Sequence, residues 1–151
     1  MKYWICQLMG MMFFMDAFAQ QGVHYNAHLA DSLKADNYGM RSYFLVLLKT
    51  GISTEQRKEV VDSLFRGHMQ NMDTLVAKGK LIIAGPFLKN DQNLRGLFLL
   101  VADNETEARS LVSTDPAVKA QLLSADIIQW YGSAALPMYM PYHYQIMKIK
   151  P

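Results

Sequence analysis

The feature that most constrains this chain is a set of short runs that stay apolar on consecutive positions. "SYFLVLLK" (42–49), "KLIIAG" (80–85) and "LFLLVA" (97–102) show almost no alternation of apolar and polar residues. Successive side chains of a strand point to opposite faces, so a strand with one wet face alternates. Runs of this length, bounded by turn residues, read as strands that carry apolar side chains on both faces. Whatever sheet they build must be covered twice.

The segments between them supply one cover. From Glu55 the apolar residues fall at Val61, Leu64, Phe65, Met69, Met72, Leu75 and Val76, with His68 in step. That three-and-four spacing predicts an amphipathic helix, capped by Ser53 or Thr54 and ending at Lys78-Gly79 with the glycine left-handed. "LKNDQNLRG" (88–96) is polar and turn-rich. Asp103 or Asn104 caps a second helix, "ETEARSLVS", with Ala108, Leu111 and Val112 inward. "TDPAVKAQLL" (114–123) places Asp115 before Pro116, which suits an N-cap and a first helical turn. "ADIIQWY" (125–131) reads as a fourth strand, and "YHYQIMKI" in the tail as a further one. The order β-α-β-β-α-β is the ferredoxin-like α+β pattern with an antiparallel sheet. Its helices cover one face only. The same face of a second copy would cover the other and give a two-fold homodimer. The alternative is that the N-terminal arm or the C-terminal tail folds over it.

A chain of 151 residues with 51% apolar and 19% charged content is one globular domain with a sizeable core. A scattered net charge of +2 excludes a nucleic-acid partner. Residues 1–19, "MKYWICQLMGMMFFMDAFA", show Lys2, an apolar stretch and Ala17-Phe18-Ala19. This is the pattern of a signal peptide cut before Gln20, and it implies a periplasmic or secreted protein with no stable membrane span. A buried first helix is the alternative, with Asp16 in its favour. The one cysteine, Cys6, lies within this segment, so the mature chain has neither disulfide nor thiolate. Residues 20–40 form an arm with a short helix near Ala30–Ala35, 41–132 the folded domain, and 133–151 a C-terminal extension. His24, His28 and Asp31 would share a helical face, but no second cluster supports a metal, and none is expected.

Two residues stand out chemically. His68 lies on the apolar stripe, where a lone histidine is usually a core residue tied to one partner. Asp115 alone is an N-cap. Together they would form a pair, because a carboxylate that accepts from one imidazole nitrogen fixes the tautomer and makes the other nitrogen a better base. No nucleophile elbow, phosphate-cradling loop or dinucleotide glycine fingerprint is present. In "GKLIIAGPF" (79–87), Gly85-Pro86 is a turn after a strand, and Gly85 without a Cβ would let the backbone approach a ligand. Trp130 and Tyr131 either wall such a pocket or are aromatics at the edge of the core.

From about Ala35 to Gly132 the chain resembles the YciI-like (YCII-related) domain family. The resemblance rests on "ADNYGMRSYFLVLLKTG", His68-Met69, "GKLIIAGPF", "TDPAVKAQLL" and "IIQWYG", in that order. It implies a dimeric α+β barrel with His68 and Asp115 as the active-site pair and Gly85 and Pro86 beside the pocket. Relatives include enzymes acting on small ring compounds. The implied function is a cofactor-independent acid/base enzyme acting on a small-molecule ring or carbonyl substrate. The alternative is a non-catalytic, secreted, dimeric ligand-binding or interaction module.

Overall fold

The computed structural model of the protein describes residues 24–149. The expected signal segment at 1–19 and the first residues of the arm lie outside them. The arm holds one short helix, α1 (Ala27–Ser32), capped by Asn26, whose side-chain oxygen accepts from the Leu29 amide at 3.0 Å. It starts earlier than expected because the better cap lies at position 26, and Lys34, at φ 54°, turns the chain away after it. Asp36 then ties the arm down. One carboxylate oxygen accepts from the amides of Tyr38 and Met40, and the other from the Tyr131 hydroxyl.

The three apolar runs are strands. β1 (Met40–Thr50), β2 (Leu81–Pro86), β3 (Leu94–Leu100) and β4 (Leu123–Ser133) form one antiparallel sheet in the order β2-β3-β1-β4. This is the ferredoxin-like α+β arrangement. β1, with the longest apolar run, is central and pairs with β4 from Met40–Ser133 to Thr50–Leu123. Register divides the runs between two faces. Phe44, Val46, Leu48, Phe98 and Leu100 face the helices and pack with Leu75, Ala108, Val112 and Ala117. Tyr43, Ile82 and Leu99 face the other way, with Leu45, Ile83 and Val101 around them.

The helices are α2 (Lys58–Ala77), α3 (Glu105–Ser113) and α4 (Pro116–Lys119). α2 begins three residues later than its periodicity predicts, and neither Ser53 nor Thr54 is its cap. Ser53 instead accepts from the Glu55 amide, and Arg57, the N-cap, makes no capping bond. Arg57 also grips Glu55, drawing that carboxyl down to about 2, which holds the segment before the helix in a turn. The C-terminus matches expectation: Gly79 has φ 66°, and the Lys80 amide reaches back to the Leu75 carbonyl at 2.9 Å. Asn104 caps α3, accepting from the Glu107 amide.

The extra C-terminal strand is not formed. Residues 136–146 are a 3₁₀ turn (Leu136–Tyr139) followed by α5 (Met140–Ile146). Pro137 and Pro141 each fall in a first turn, where a missing N–H costs nothing, and this outweighs the strand preference of the aromatic residues. Leu136 packs onto the Tyr43–Ile82–Leu99 cluster, and the Tyr139 hydroxyl donates to the Ile82 carbonyl at 2.6 Å. Ile82 sits at the register shift of edge strand β2, so Tyr139 satisfies a carbonyl beside the irregularity in the ladder. The tail thus covers part of the helix-free face. Ile128 and Trp130, on that face, remain 48% and 41% exposed. None of the described helices is long and apolar enough to cross a membrane.

Candidate active site

His68 and Asp115 meet. The imidazole Nδ1 lies 2.5 Å from Asp115 Oδ2, across 47 residues of sequence. Asp115 is 1% exposed and is the one buried charged residue among those described. Its two oxygens divide the work. Oδ1 caps α4 by accepting from the Ala117 amide at 2.9 Å, and Oδ2 holds His68. The capping and pairing roles, alternatives in the sequence, are therefore both filled by one side chain. An ionised carboxylate has no proton to give, so the bond fixes the proton on Nδ1 and leaves the Nε2 lone pair free.

The ring is held on its other sides by aromatics. Phe98 stacks on it at 5.8 Å between centroids and 21° between planes, and Phe65 meets it edge-on at 6.1 Å. The His68 side chain keeps 12% of its surface open. It sits at the seam between α2 and the sheet, neither sealed away nor free in solvent.

Gly67 is a residue that pattern reasoning passed over. A Cβ built at Gly67 would lie 2.9 Å from Pro116 Cγ, closer than real contacts allow. The missing side chain lets α2 press against the start of α4, one residue from His68 on one side and from Asp115 on the other. Asn71, one turn further along α2, shares a hydrogen bond with Thr114 at 2.8 Å. Thr114, Asp115 and Pro116 therefore meet Asn71, His68 and Gly67 as three successive contacts. The available signal was a glycine inside a strong helical pattern, a position that costs about 1 kcal/mol relative to alanine and so calls for a packing reason.

The other expected site residues divide. Ala84 pairs with Phe98, so Gly85 and Pro86 lie one and two residues along β2 from the strand position on which His68 stacks. A Cβ at Gly85 would meet nothing within 4 Å, so this glycine is not needed for packing. Trp130 is not near the pair. It pairs with Tyr43 in the ladder and stacks toward it at 5.9 Å, which puts it on the opposite face of the sheet. Two cavities lie on that face as well. One, of about 310 Å³, is lined by Leu45, Ile83, Leu97, Leu99, Trp130 and Leu136. The other, of about 530 Å³, lies under the tail between Ile83, Ser133, Leu136, Tyr139 and His143. Among the described residues no three His, Cys, Asp or Glu side chains cluster as metal ligands; His24, His28 and Asp31 do not form such a group.

Known proteins give this geometry a context. No functionally curated protein matches the sequence. Among solved structures, a 5-chloro-2-hydroxyhydroquinone dehydrochlorinase from Burkholderia phenoliruptrix AC1100, in complex with 2,5-dihydroxybenzoquinone, is similar at 22% identity and TM-score 0.44, over 58% of this chain and 92% of that one. A dimeric protein of unknown function with a ferredoxin-like fold, from Bacteroides fragilis NCTC 9343, is similar at 15% identity and TM-score 0.42, over 61% and 95%. The model of the YCII-related domain matches residues 43–131, a span that holds all four strands' paired cores, His68 and Asp115. The chain belongs to the YCII-related domain family.

Proposed function

We propose that the protein is a cofactor-independent acid/base enzyme acting on a small ring or carbonyl compound, with His68 as the proton-transfer group and Asp115 as its positioning partner. One observation carries this: a buried carboxylate holds Nδ1 of a partly open imidazole at 2.5 Å. Nε2 takes a proton from the substrate, Asp115 stabilises the imidazolium, and the proton returns to a second substrate atom or to a leaving group. Isomerisation and elimination both fit that cycle. A base positioned in this way contributes about 10² to 10⁴ in rate. Gly85 and Pro86 supply the backbone side of the pocket.

A thermal-shift screen against small aromatic and lactone ligands tests the reading. A ligand at a hundredfold excess over Kd stabilises by about 2.7 kcal/mol. The shift should vanish in His68→Ala and shrink in Asp115→Asn. Hits that stabilise all three proteins equally would contradict the assignment.

The second reading is a non-catalytic, exported dimer that binds a small ligand. It is supported by the two cavities on the helix-free face and by the exposed Ile128 and Trp130 there. In either reading a second copy covers what the tail leaves open. Sedimentation at micromolar concentration should give twice the chain mass, and a stable monomer would remove the dimer. The export expected from residues 1–19 is checked by N-terminal sequencing of native protein, where an intact Met1 would refute it.

A further inference from the structure

We propose that Phe65 is the movable wall of the His68 site, and that a planar hydroxylated ring enters by displacing it and settles on a floor without long side chains at Gly96. The inference rests on the acid/base reading of His68 and names the residue that decides what reaches it. The wall is on the helical side of the sheet, away from the face assigned to a second copy. Three side chains hold the imidazole. Asp115 takes Nδ1, Phe98 stacks on the ring, and Phe65 stands nearly perpendicular to it at 80°. Asp115 and Phe98 are 1% and 3% exposed, and neither moves without opening a close-packed core. Phe65 is 37% exposed. With 12% of the His68 side chain open, a ring-sized substrate reaches it only where a neighbour yields, and Phe65 is the neighbour that can.

The direction of the imidazole agrees. Gly67, Asn71 and Nδ1 of His68 all turn toward residues 114–116. Phe65 and Met69 each precede one of those helix residues by two positions and so lie on the opposite side of α2. The Nε2 lone pair points away from Nδ1, toward that side. There α2 presses least on the sheet: among its residues only Leu75, near the C-terminal end, is buried. Below its first half is Gly96, which pairs with Leu48 and lies two residues along β3 from Phe98 on the same face. A Cβ built at Gly96 would meet the Gly85 carbonyl oxygen at 3.2 Å and Leu48 Cδ1 at 3.7 Å, and none of its three nearest atoms belongs to α2. Ala84, the β2 partner of Phe98, adds only a methyl to this floor. A displaced Phe65 has somewhere to go. Met69, 38% exposed, is one turn further on, and a helical side chain leans back toward the N-terminus, so its thioether lies beside the aromatic ring. The entering ring replaces the contact that Phe65 gives up. Its hydroxyl proton passes to Nε2, the ring keeps the electron pair as a phenolate, and Asp115 stabilises the imidazolium. A flat ring makes this exchange at little cost, and a bulky one does not fit between α2 and the sheet.

Titration of the full chain with 4-nitrophenol and with its bulky analogue 2-tert-butyl-4-nitrophenol tests the proposal, at a pH where both free probes are neutral. The wild type should prefer the flat probe by about tenfold or more, and Phe65→Ala should reduce that preference to less than about threefold, the scale of one aromatic contact. Gly96→Ala, which roughens the floor, should weaken the flat probe by about three- to tenfold. Should Gly96→Ala fail to fold, Phe65→Ala, at a half-exposed position, decides alone. The acid/base reading is judged separately by colour: the bound flat probe should absorb as the phenolate, and no longer do so in His68→Gln. A probe bound as the neutral phenol whose selectivity still depends on Phe65 would remove the acid/base reading and support the wall. An unchanged preference in Phe65→Ala would overturn the wall whatever the colour of the bound probe, and so would an absence of saturable binding in all of these proteins.

Discussion

The two faces of the sheet are made from alternate residues of the same apolar runs, yet they are built for different ends. Phe44, Val46, Phe98 and Leu100, all at most 3% exposed, lie under three helices, and the one buried charge among the described residues is set at the edge of that layer. Tyr43 and Leu99, equally buried, start a face whose far side carries Ile128 and Trp130 at more than 40% exposure and two cavities. The helical face has helix termini, and termini bring unsatisfied amides that a carboxylate can serve. That is why a buried Asp115 is tolerable there, and why it can hold His68 with the oxygen left over. Among the described residues, the open face is met by the 3₁₀ turn and α5 of the tail. It has ring surface and space, so it suits an apolar ligand or a partner.

The strongest break of this contrast is Asp115→Ala. It removes a cap worth about 1 kcal/mol and strands the His68 Nδ1–H, a further loss of about 1–2 kcal/mol. The urea midpoint should fall by the equivalent of about 2–3 kcal/mol, while the Trp130 indole N–H resonance stays in place. Asp115→Asn keeps a capping oxygen and should cost less than half as much.

Gly67→Ala comes next. Overpacking against Pro116 costs about 1–3 kcal/mol, offset by up to about 1 kcal/mol of helix propensity. A net loss of about 1–2 kcal/mol is expected, with a weakened His68–Asp115 bond. Pro116→Ala removes the Cγ that the new methyl would strike and should restore both in the double variant. Additive losses in the double-mutant cycle would show that the contact does not position the pair.

Gly132→Ala probes the other face, where a Cβ would lie 2.1 Å from Trp130 Cη2. The indole is half exposed and can swing out, so the stability change should stay below about 1 kcal/mol. The Trp130 resonance should move, and the His68 ring resonances should not.

The smallest effect is at the arm. The Tyr131 hydroxyl, then the Met40 amide, hold Asp36 below its ordinary value of 3.8, and Asp36 in turn raises Tyr131 above 10.0. A depressed acid stabilises above its unfolded pKa and loses that as pH falls through the folded value. A raised phenol stabilises below its unfolded pKa and loses that as pH rises through the folded value. The arm should therefore stay fastened between about pH 4 and pH 10 and loosen outside that window. Hydrogen exchange at Tyr38 and Met40 measures it, and Tyr131→Phe should flatten the profile. Salt of 1 M should weaken the contact, since both groups are at the surface.

Much of this was legible from the chain. Runs apolar on consecutive positions announced the strands of the sheet, and the stripe of α2 placed His68 inward. Asp115 before Pro116 was readable as a cap because capping is local. Three things were not readable, each for a physical reason. Gly67 has meaning only once Pro116 is known to lie against it, and that contact joins residues 49 positions apart. The face on which Trp130 lies depends on its register with Tyr43, since a one-residue slip would reverse it. In the tail, aromatic residues favoured a strand, but Pro137 and Pro141 at helical first turns decided for helix.

The central claim is that Asp115 fixes the proton of His68 on Nδ1 and leaves Nε2 free to act. ¹⁵N chemical shifts of the His68 ring, measured across pH in the wild type and in Asp115→Ala, test it most directly. The account predicts a neutral ring protonated at Nδ1 in the wild type, and a mixed tautomer in the variant. A proton on Nε2, or a ring whose tautomer is indifferent to Asp115, would contradict it.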